Sequence, residues 1–167
     1  MNHIFLIGFM GCGKSAVSAY IAETHNMDIM EMDEEIVRRE NMTIPEIFDC
    51  KGEIYFRNLE TQLLQELENQ PGKIVSCGGG VVLREENVEI MKKSGFIVLL
   101  TAEPETILER VKDDDNRPLL RGNKNVEYIK ALLEKRIPHY ANAADVIVKT
   151  DNKSIKEICK EILDYRR

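Results

Sequence analysis

The 167-residue sequence lacks the features that mark several classes of protein. No apolar run approaches the roughly 20 residues that a membrane-spanning helix needs. Residues 1–3 lead directly into a short apolar segment and do not resemble a signal peptide. We therefore expect a cytoplasmic protein with no membrane partner. The length suits one α/β domain over residues 1–167 and is too short for two ordinary domains.

Positive charge is also scarce. The chain has 23 lysines and arginines against 29 aspartates and glutamates, which gives a net charge of −6. This balance disfavours a broad electrostatic surface for nucleic acid or for an anionic membrane. We expect the positive charge that function requires to be concentrated in a site.

The cysteines are few and widely spaced, at Cys12, Cys50, Cys77 and Cys159. There is no C-x-x-C pair and no neighbouring histidine arranged to bind zinc, so reduced and mostly buried thiols are predicted. Cys12 is the exception. It lies beside Lys14 and a predicted helix N-terminus, which predicts a stabilised thiolate that bound nucleotide would protect from alkylation.

The clearest motif present is the segment 8–15, GFMGCGKS, a full G-x-x-x-x-G-K-S phosphate-binding loop. It follows the apolar run 4–7 and precedes a helical pattern over 15–22. The glycines let backbone N–H groups converge on phosphate oxygens, and the helix N-terminus favours an anion. Lys14 supplies a positive charge and Ser15 a magnesium ligand. The motif predicts a nucleoside triphosphate site.

Short apolar segments alternate with helical patterns along the chain. Continuous apolarity without alternation is typical of parallel strands that are covered on both faces. The predicted strands are 3–7, 28–32, 73–76, 96–100 and 146–148. These segments predict an α/β fold with three layers, α/β/α, around a five-stranded parallel sheet.

Residues 112–124, KDDDNRPLLRGNK, are charged and turn-prone. The segment is long enough to form a mobile lid. Within it, Arg117 and Arg121 could close over a transferring phosphate, or they could belong to a solvated loop.

Three further groups of residues could carry chemistry. Glu31 and Asp33 follow the second strand at its carboxyl end, where Asp33 is either a catalytic carboxylate or the N-cap of a helix over 34–40. The glycines 78–80 follow the third strand and permit either close approach to a ligand or a tight turn. Arg57 and Arg136, on two amphipathic helices, would each be solvated if isolated but could together hold a carboxylate.

One motif points to a different class of protein. Residues 49–52, DCKG, match the D-x-x-G element of GTP-binding switches. However, Thr43, Pro45 and Glu46 predict a helix start just before it, where a switch would need a strand. No N-K-x-D guanine-binding motif follows, so the switch is a distant alternative.

Taken together, G-x-x-G-x-G-K-S, E-M-D, G-E-x-x-F-R, G-G-G, N-R-P-L-L and K-R-x-P-x-Y resemble the shikimate kinase family over nearly the whole chain. The resemblance implies transfer of the ATP γ-phosphoryl group to the 3-hydroxyl of shikimate, on the route to chorismate and the aromatic amino acids. It implies the P-loop kinase fold of nucleoside monophosphate kinases, with a substrate-binding segment at about 33–60 and the lid at about 112–124. It also implies a monomer and one Mg²⁺ ion bound with ATP. A gluconate kinase is the nearest alternative.

The resemblance also implies a set of site residues. Lys14, Asp33 and Arg117 would act in catalysis, with Lys14 on the β and γ phosphates and Arg117 on the transferred group. Those expected to contact ATP are Gly11, Cys12, Gly13, Lys14, Ser15, Ala16, Arg110 and Arg117. Those expected to contact shikimate are Asp33, Arg57, Gly78, Gly79, Gly80 and Arg136. Ser15 and Glu31 would hold the metal, with Glu31 standing where the family usually has aspartate, so that its carboxylate reaches one methylene further.

Overall fold

A parallel sheet forms the centre of the computed structural model, which describes residues 3–113, 120, 122 and 124–166. Its strands are β1 (His3–Ile7), β2 (Asp28–Glu31), β3 (Lys73–Ser76), β4 (Gly95–Thr101) and β5 (Val146–Lys149). They pair in parallel in the order β2-β3-β1-β4-β5. The predicted five-stranded parallel sheet is confirmed, and each strand boundary lies within one residue of the prediction.

The described residues also form eight α-helices, which are interleaved with the strands. They are α1 (Lys14–His25), α2 (Met32–Glu40), α3 (Ile44–Lys51), α4 (Glu53–Leu67), α5 (Glu85–Ser94), α6 (Pro104–Val111), α7 (Val126–Ala143) and α8 (Ile155–Tyr165). Every residue of β1 is buried. Because successive strand residues point to opposite faces of a sheet, both faces of β1 are covered, as the predicted α/β/α layering requires.

The local sequence explains where several helices begin. Thr43 accepts a hydrogen bond from the Glu46 N–H, and the Glu46 carboxylate accepts one from the Thr43 N–H, which completes a capping box at the start of α3. Ser154 and Glu157 form the same arrangement at α8. Because α3 occupies 44–51, the D-x-x-G match lies at the end of a helix and lacks the strand that a GTP switch needs.

The start of α2 corrects one interpretation of Asp33. The helix begins at Met32, directly after β2, and the N-cap position belongs to Glu31, which makes no side-chain cap hydrogen bond. An N-cap residue has non-helical backbone angles, so Asp33, inside the first turn, cannot be the cap. The capping interpretation is wrong, and the Asp33 carboxylate instead faces the cavity described below.

The course of α7 and the extent of the described residues also bear on the site. The helix α7 continues through Pro138 to Ala143, so Arg136 lies about two turns before the helix end. Residues 114–119, 121 and 123 are outside the described residues, and with them Arg117, Arg121 and most of the predicted lid. None of the helices that the structure describes is both long and apolar enough to cross a membrane.

Candidate active site

A cavity of about 640 Å³ opens at the carboxyl ends of β1, β2 and β3. Ligands of parallel α/β sheets usually bind at this edge. Its wall includes nine of the residues predicted to form the site: Gly11, Gly13, Lys14, Ser15, Ala16, Glu31, Asp33, Gly79 and Arg110. The cavity therefore joins the phosphate loop, the carboxylates after β2 and the glycines after β3.

The phosphate loop has the backbone that an anion site requires. Gly11 and Gly13 have φ of 77° and 91°, in the left-handed region that glycine adopts without strain. Gly13 is the N-cap of α1, so the positive end of that helix faces the cavity. Lys14 Nζ donates to the carbonyl oxygens of Gly8 at 2.8 Å and Phe9 at 3.0 Å. The ammonium group is thus held at the mouth of the loop by backbone dipoles.

The thiol of Cys12 does not behave as the sequence predicts. Its side chain is buried, and burial raises its pKa although Lys14 and Arg110 act in the opposite direction. Desolvation disfavours the thiolate more than the nearby cations favour it. The predicted stabilised thiolate is wrong, and burial alone is expected to limit alkylation. Cys77 and Cys159 are also buried, whereas Cys50 is exposed, so mostly buried free thiols are confirmed.

Glu31 is anchored on the first turns of α1. Its Oε2 accepts a hydrogen bond from Ser15 Oγ at 3.0 Å, and its Oε1 accepts one from Ser18 Oγ at 2.7 Å. Ser15 and Ser18 lie three residues apart and so share one helix face. The contact with Ser18 was not predicted. The only sequence signal for it is a serine one turn beyond the phosphate-loop serine.

The glycines 78–80 are explained by close approach of side chains. None of them is among the glycines with positive φ, so a turn conformation does not require them. A Cβ on Gly80 would lie 2.5 Å from the guanidinium carbon of Arg57. A Cβ on Gly78 would lie 2.6 Å from Glu60 Oε1 and 3.0 Å from Asp33 Oδ1. Larger residues would displace these charged groups. The predicted turn is present as well, because the Val81 N–H donates to the Gly78 carbonyl oxygen at 3.2 Å.

Arg57 and Glu60 form a buried ion pair on α4, in which Nη1 lies 2.8 Å from Oε2. Burial raises the pKa of Glu60 to about 7 against the attraction of Arg57. Burial also opposes the charge on Arg57, but the charges and hydrogen bonds of Glu60 and Glu53 outweigh it and raise its pKa. The guanidinium is therefore fixed and charged beside Gly80.

Glu60 was missed in the sequence although a signal was present. Phe56, Leu63, Leu64 and Leu67 form the buried stripe of α4, and Glu60 occupies the same stripe at helical spacing. An acid on an apolar stripe is rarely buried unless it is paired. Arg57, three residues earlier, is that partner.

The helix α7 contributes a second buried arginine and a buried tyrosine. Arg136 lies with its guanidinium carbon 5.6 Å from the centre of the Phe9 ring, and a Cβ on Gly79 would be 3.4 Å from its Nη1. Tyr140 Oη donates to the Gly79 carbonyl oxygen at 2.5 Å, and burial raises its pKa to about 12. Tyr140, which the sequence analysis did not assign, thus fixes the glycine segment from the side of α7.

Arg110 joins the phosphate loop to the end of β5. Its Nη1 donates to the Gly11 carbonyl oxygen at 2.8 Å and to Thr150 Oγ1 at 3.2 Å. It therefore forms the side of the cavity opposite the carboxylates of β2, since β2 and β5 are the two edge strands.

Comparisons with known proteins identify the family of the chain. The family model described as shikimate kinase matches residues 10–166. A shikimate kinase of Dehalococcoides mccartyi strain BAV1 is 42% identical over 166 residues, which cover 99% of this chain and 94% of the relative. The solved shikimate kinase of Acinetobacter baumannii, in complex with shikimate, is 33% identical with a TM-score of 0.94 and covers 99% of this chain and 93% of its own.

A gluconokinase from Sinorhizobium meliloti is also similar in structure, with a TM-score of 0.61, 20% identity and coverage of 98% of this chain and 90% of its own. At that identity the likeness shows a common fold alone. The family model, by contrast, spans almost the entire chain, and the relative from Dehalococcoides matches over nearly its full length. The chain belongs to the shikimate kinase family.

Proposed function

We propose that the chain transfers the γ-phosphoryl group of ATP to the 3-hydroxyl of shikimate, giving shikimate 3-phosphate and ADP. One observation carries the proposal beyond family membership. Asp33 and Gly79 line the cavity that also contains the phosphate-binding loop, and two buried arginines, Arg136 and Arg57, lie against Gly79 and Gly80. Two fixed cations suit a carboxylate-bearing acceptor, and Asp33 suits its hydroxyl.

ATP would bind through the phosphate loop. The N–H groups of residues 11–16 at the start of α1 would face the phosphates, and Lys14 would exchange its contacts with Gly8 and Phe9 for phosphate oxygens. Arg110, beside Gly11 and Thr150, would contact the nucleoside end. These residues would position the phosphates and neutralise their charge, which is most of what phosphoryl transfer requires of a protein.

The residues near the loop fit one Mg²⁺ ion. Ser15 Oγ and the Glu31 carboxylate lie 3.0 Å apart and offer oxygen ligands, which this cation prefers. No three His, Cys, Asp or Glu side chains gather into a cage within the described parts of the chain, so phosphates and water would have to supply further ligands. When bound with ATP, the ion would neutralise charge on the β and γ phosphates.

Shikimate would bind at the glycine segment. Arg57, fixed by Glu60 and Glu53, and Arg136 would hold its carboxylate and ring hydroxyls, with help from the N–H groups of Gly79 and Gly80. Asp33 would accept a hydrogen bond from the attacking hydroxyl and orient it toward the γ-phosphate. Because the transition state of phosphoryl transfer is loose, this hydroxyl needs little deprotonation before attack.

A lid over 112–124, with Arg117 acting on the transferred group, completes the proposal. It rests on the family resemblance, because Arg117 lies outside the described residues. Closure would exclude water, which otherwise competes as the nucleophile. The cytoplasmic location and the monomeric state stay predictions.

The decisive experiment measures ADP release from Mg·ATP with and without shikimate, with gluconate and other hydroxy acids as controls. We expect release that depends on shikimate. Dependence on gluconate instead would reject the proposed acceptor but keep the phosphate site. If a folded and ATP-bound protein released ADP at the same rate with and without every acceptor, the proposed transfer would be rejected.

A further inference from the structure

We propose that Ser18 is a positioning residue for the magnesium site. Its hydroxyl fixes one oxygen of the Glu31 carboxylate, so that the other oxygen is presented beside Ser15. The inference rests on the proposed kinase function and extends it to a residue outside the phosphate-loop motif. Ser18 itself would touch neither substrate nor metal.

The geometry separates the roles of the two serines. Ser15 lies in the cavity wall, whereas Ser18 is fully buried. Glu31 bridges them, with the Ser18 contact at 2.7 Å and the Ser15 contact at 3.0 Å. The shorter contact is the one that ligands cannot reach. The accessible oxygen, Oε2, is the one that faces the proposed metal ligand Ser15.

The single proton of the Ser18 hydroxyl has two acceptors within reach, Glu31 Oε1 at 2.7 Å and the Ser15 carbonyl oxygen at 3.0 Å. The carbonyl of Ser15 already accepts the helical N–H four residues on, as α-helix geometry provides. The carboxylate is charged, and hydrogen bonds to charged acceptors are shorter and stronger. The proton therefore goes to Glu31.

Glutamate needs such a restraint more than a shorter acid would. Its extra rotatable bond adds conformers that must be frozen before it can serve a metal site. It also lengthens the side chain by one C–C bond of about 1.5 Å. This extra reach allows one carboxylate to span both hydroxyls. If Glu31 is shortened to aspartate, the contact with Ser18 should be lost first.

The test is a double-mutant cycle of Ser18→Ala and Glu31→Asp, in which Mn²⁺ affinity in the presence of the ATP analogue AMP-PNP is measured by electron paramagnetic resonance. We expect Ser18→Ala to weaken Mn²⁺ binding about three- to tenfold, a modest effect because Glu31 is half-buried. Glu31→Asp should weaken it similarly and keep the charge. The double variant should be no weaker than Glu31→Asp alone.

The matched control is Thr24→Ala on the same helix. Thr24 Oγ1 donates to the Tyr20 carbonyl oxygen at 2.7 Å on the exposed side of α1. Its removal should leave Mn²⁺ affinity unchanged. Steady-state turnover supplies a second readout, because Ser18→Ala should raise the Mg²⁺ concentration needed for half-maximal rate and leave the KM for shikimate as it is.

Two results would overturn the inference. One is unchanged Mn²⁺ affinity in Ser18→Ala. If only the thermal midpoint of the nucleotide-free protein falls, Ser18 stabilises the fold and does not position the metal site. The other is an equal loss of Mn²⁺ affinity when Ser18→Ala is introduced into the native protein and into the Glu31→Asp variant. Failure of the proposed function looks different, because the native protein would then bind no Mn²⁺ with AMP-PNP or would show no turnover dependent on shikimate.

Discussion

The phosphate loop and the glycine segment 78–80 both follow a strand of the same sheet, yet they are built in opposite ways. The loop uses consecutive residues: its glycines, its lysine and the N-terminus of α1 all lie within residues 8–16. The glycine segment contributes mainly space. Its charged groups arrive from α2, α4 and α7, at Asp33, Arg57 and Arg136.

This difference separates the expected sensitivities of the two regions. A local backbone site depends on a few residues of its own segment and changes little when distant helices are altered. A site assembled from buried charges depends on every partner, because removal of one leaves another charge buried and uncompensated. Changes in the loop should affect ATP chemistry, whereas changes around the glycine segment should affect the acceptor and the stability of the fold.

The largest effect should come from Lys14→Met in the phosphate loop. Loss of the ammonium group removes charge stabilisation from the transferring phosphate, and we expect turnover to fall about a thousandfold. Circular dichroism should show an intact fold, because Lys14 lies in the cavity wall and donates to the carbonyl oxygens of Gly8 and Phe9 in the loop. The control is Lys160→Met, which removes an exposed ion pair with Asp164 and should leave turnover near native. Native turnover in Lys14→Met would contradict the local-site model.

The second effect tests the buried charges of the acceptor region through pH. Burial raises the pKa of Glu60 from 4.5 to about 7. The folded protein therefore keeps a proton that the unfolded chain loses, and stability falls as the pH rises from 4.5 to about 7. The fall amounts to roughly 3 kcal/mol in the free energy of unfolding. Glu60→Gln should lack this component.

Urea unfolding of both proteins at pH 5 and pH 8 measures that difference. The native protein should lose more stability between the two pH values than Glu60→Gln does. Glu68→Gln, at an exposed position at the end of the same helix, serves as the control and should follow the native pH dependence. Parallel curves for native protein and Glu60→Gln would show that Glu60 stays ionised in the fold over this range.

The same contrast explains what the sequence could reveal. The phosphate loop, the five strands and the helix start at Thr43 depend on residues within one segment, and all were predicted. Ser18 and Tyr140 act through contacts between segments far apart, which no local pattern specifies. Glu60, by contrast, had a local signal in the apolar stripe of α4 and its pairing with Arg57. The prediction of a stabilised thiolate at Cys12 was wrong for a related reason. Its neighbours in sequence favour a thiolate, but the packing around it disfavours one more strongly.

The third effect tests whether the glycines 78–80 serve as space for charged groups. Gly80→Ala places a methyl group 2.5 Å from the guanidinium of Arg57, which Glu60 and Glu53 hold at 2.8 and 3.1 Å. Arg57 must move and weaken those contacts. We expect kcat/KM for shikimate to fall about tenfold to a hundredfold, with little change in the KM for ATP. An equal rise in the KM for ATP would mean that the two regions are not separable.

The smallest effect should come from Tyr140→Phe, which removes one hydroxyl and keeps the ring. The Gly79 carbonyl oxygen loses its buried donor, so the segment gains freedom at the point where Arg136 approaches it. A single neutral hydrogen bond is worth about 1 kcal/mol, so we expect a rise of about threefold to tenfold in the KM for shikimate and an unchanged KM for ATP. Tyr165→Phe, on an exposed tyrosine of α8, controls for loss of a hydroxyl. If Tyr140→Phe lowered turnover and left both KM values unchanged, the hydroxyl would act on the transfer step. The division between a local phosphate site and an assembled acceptor site would then not hold for α7.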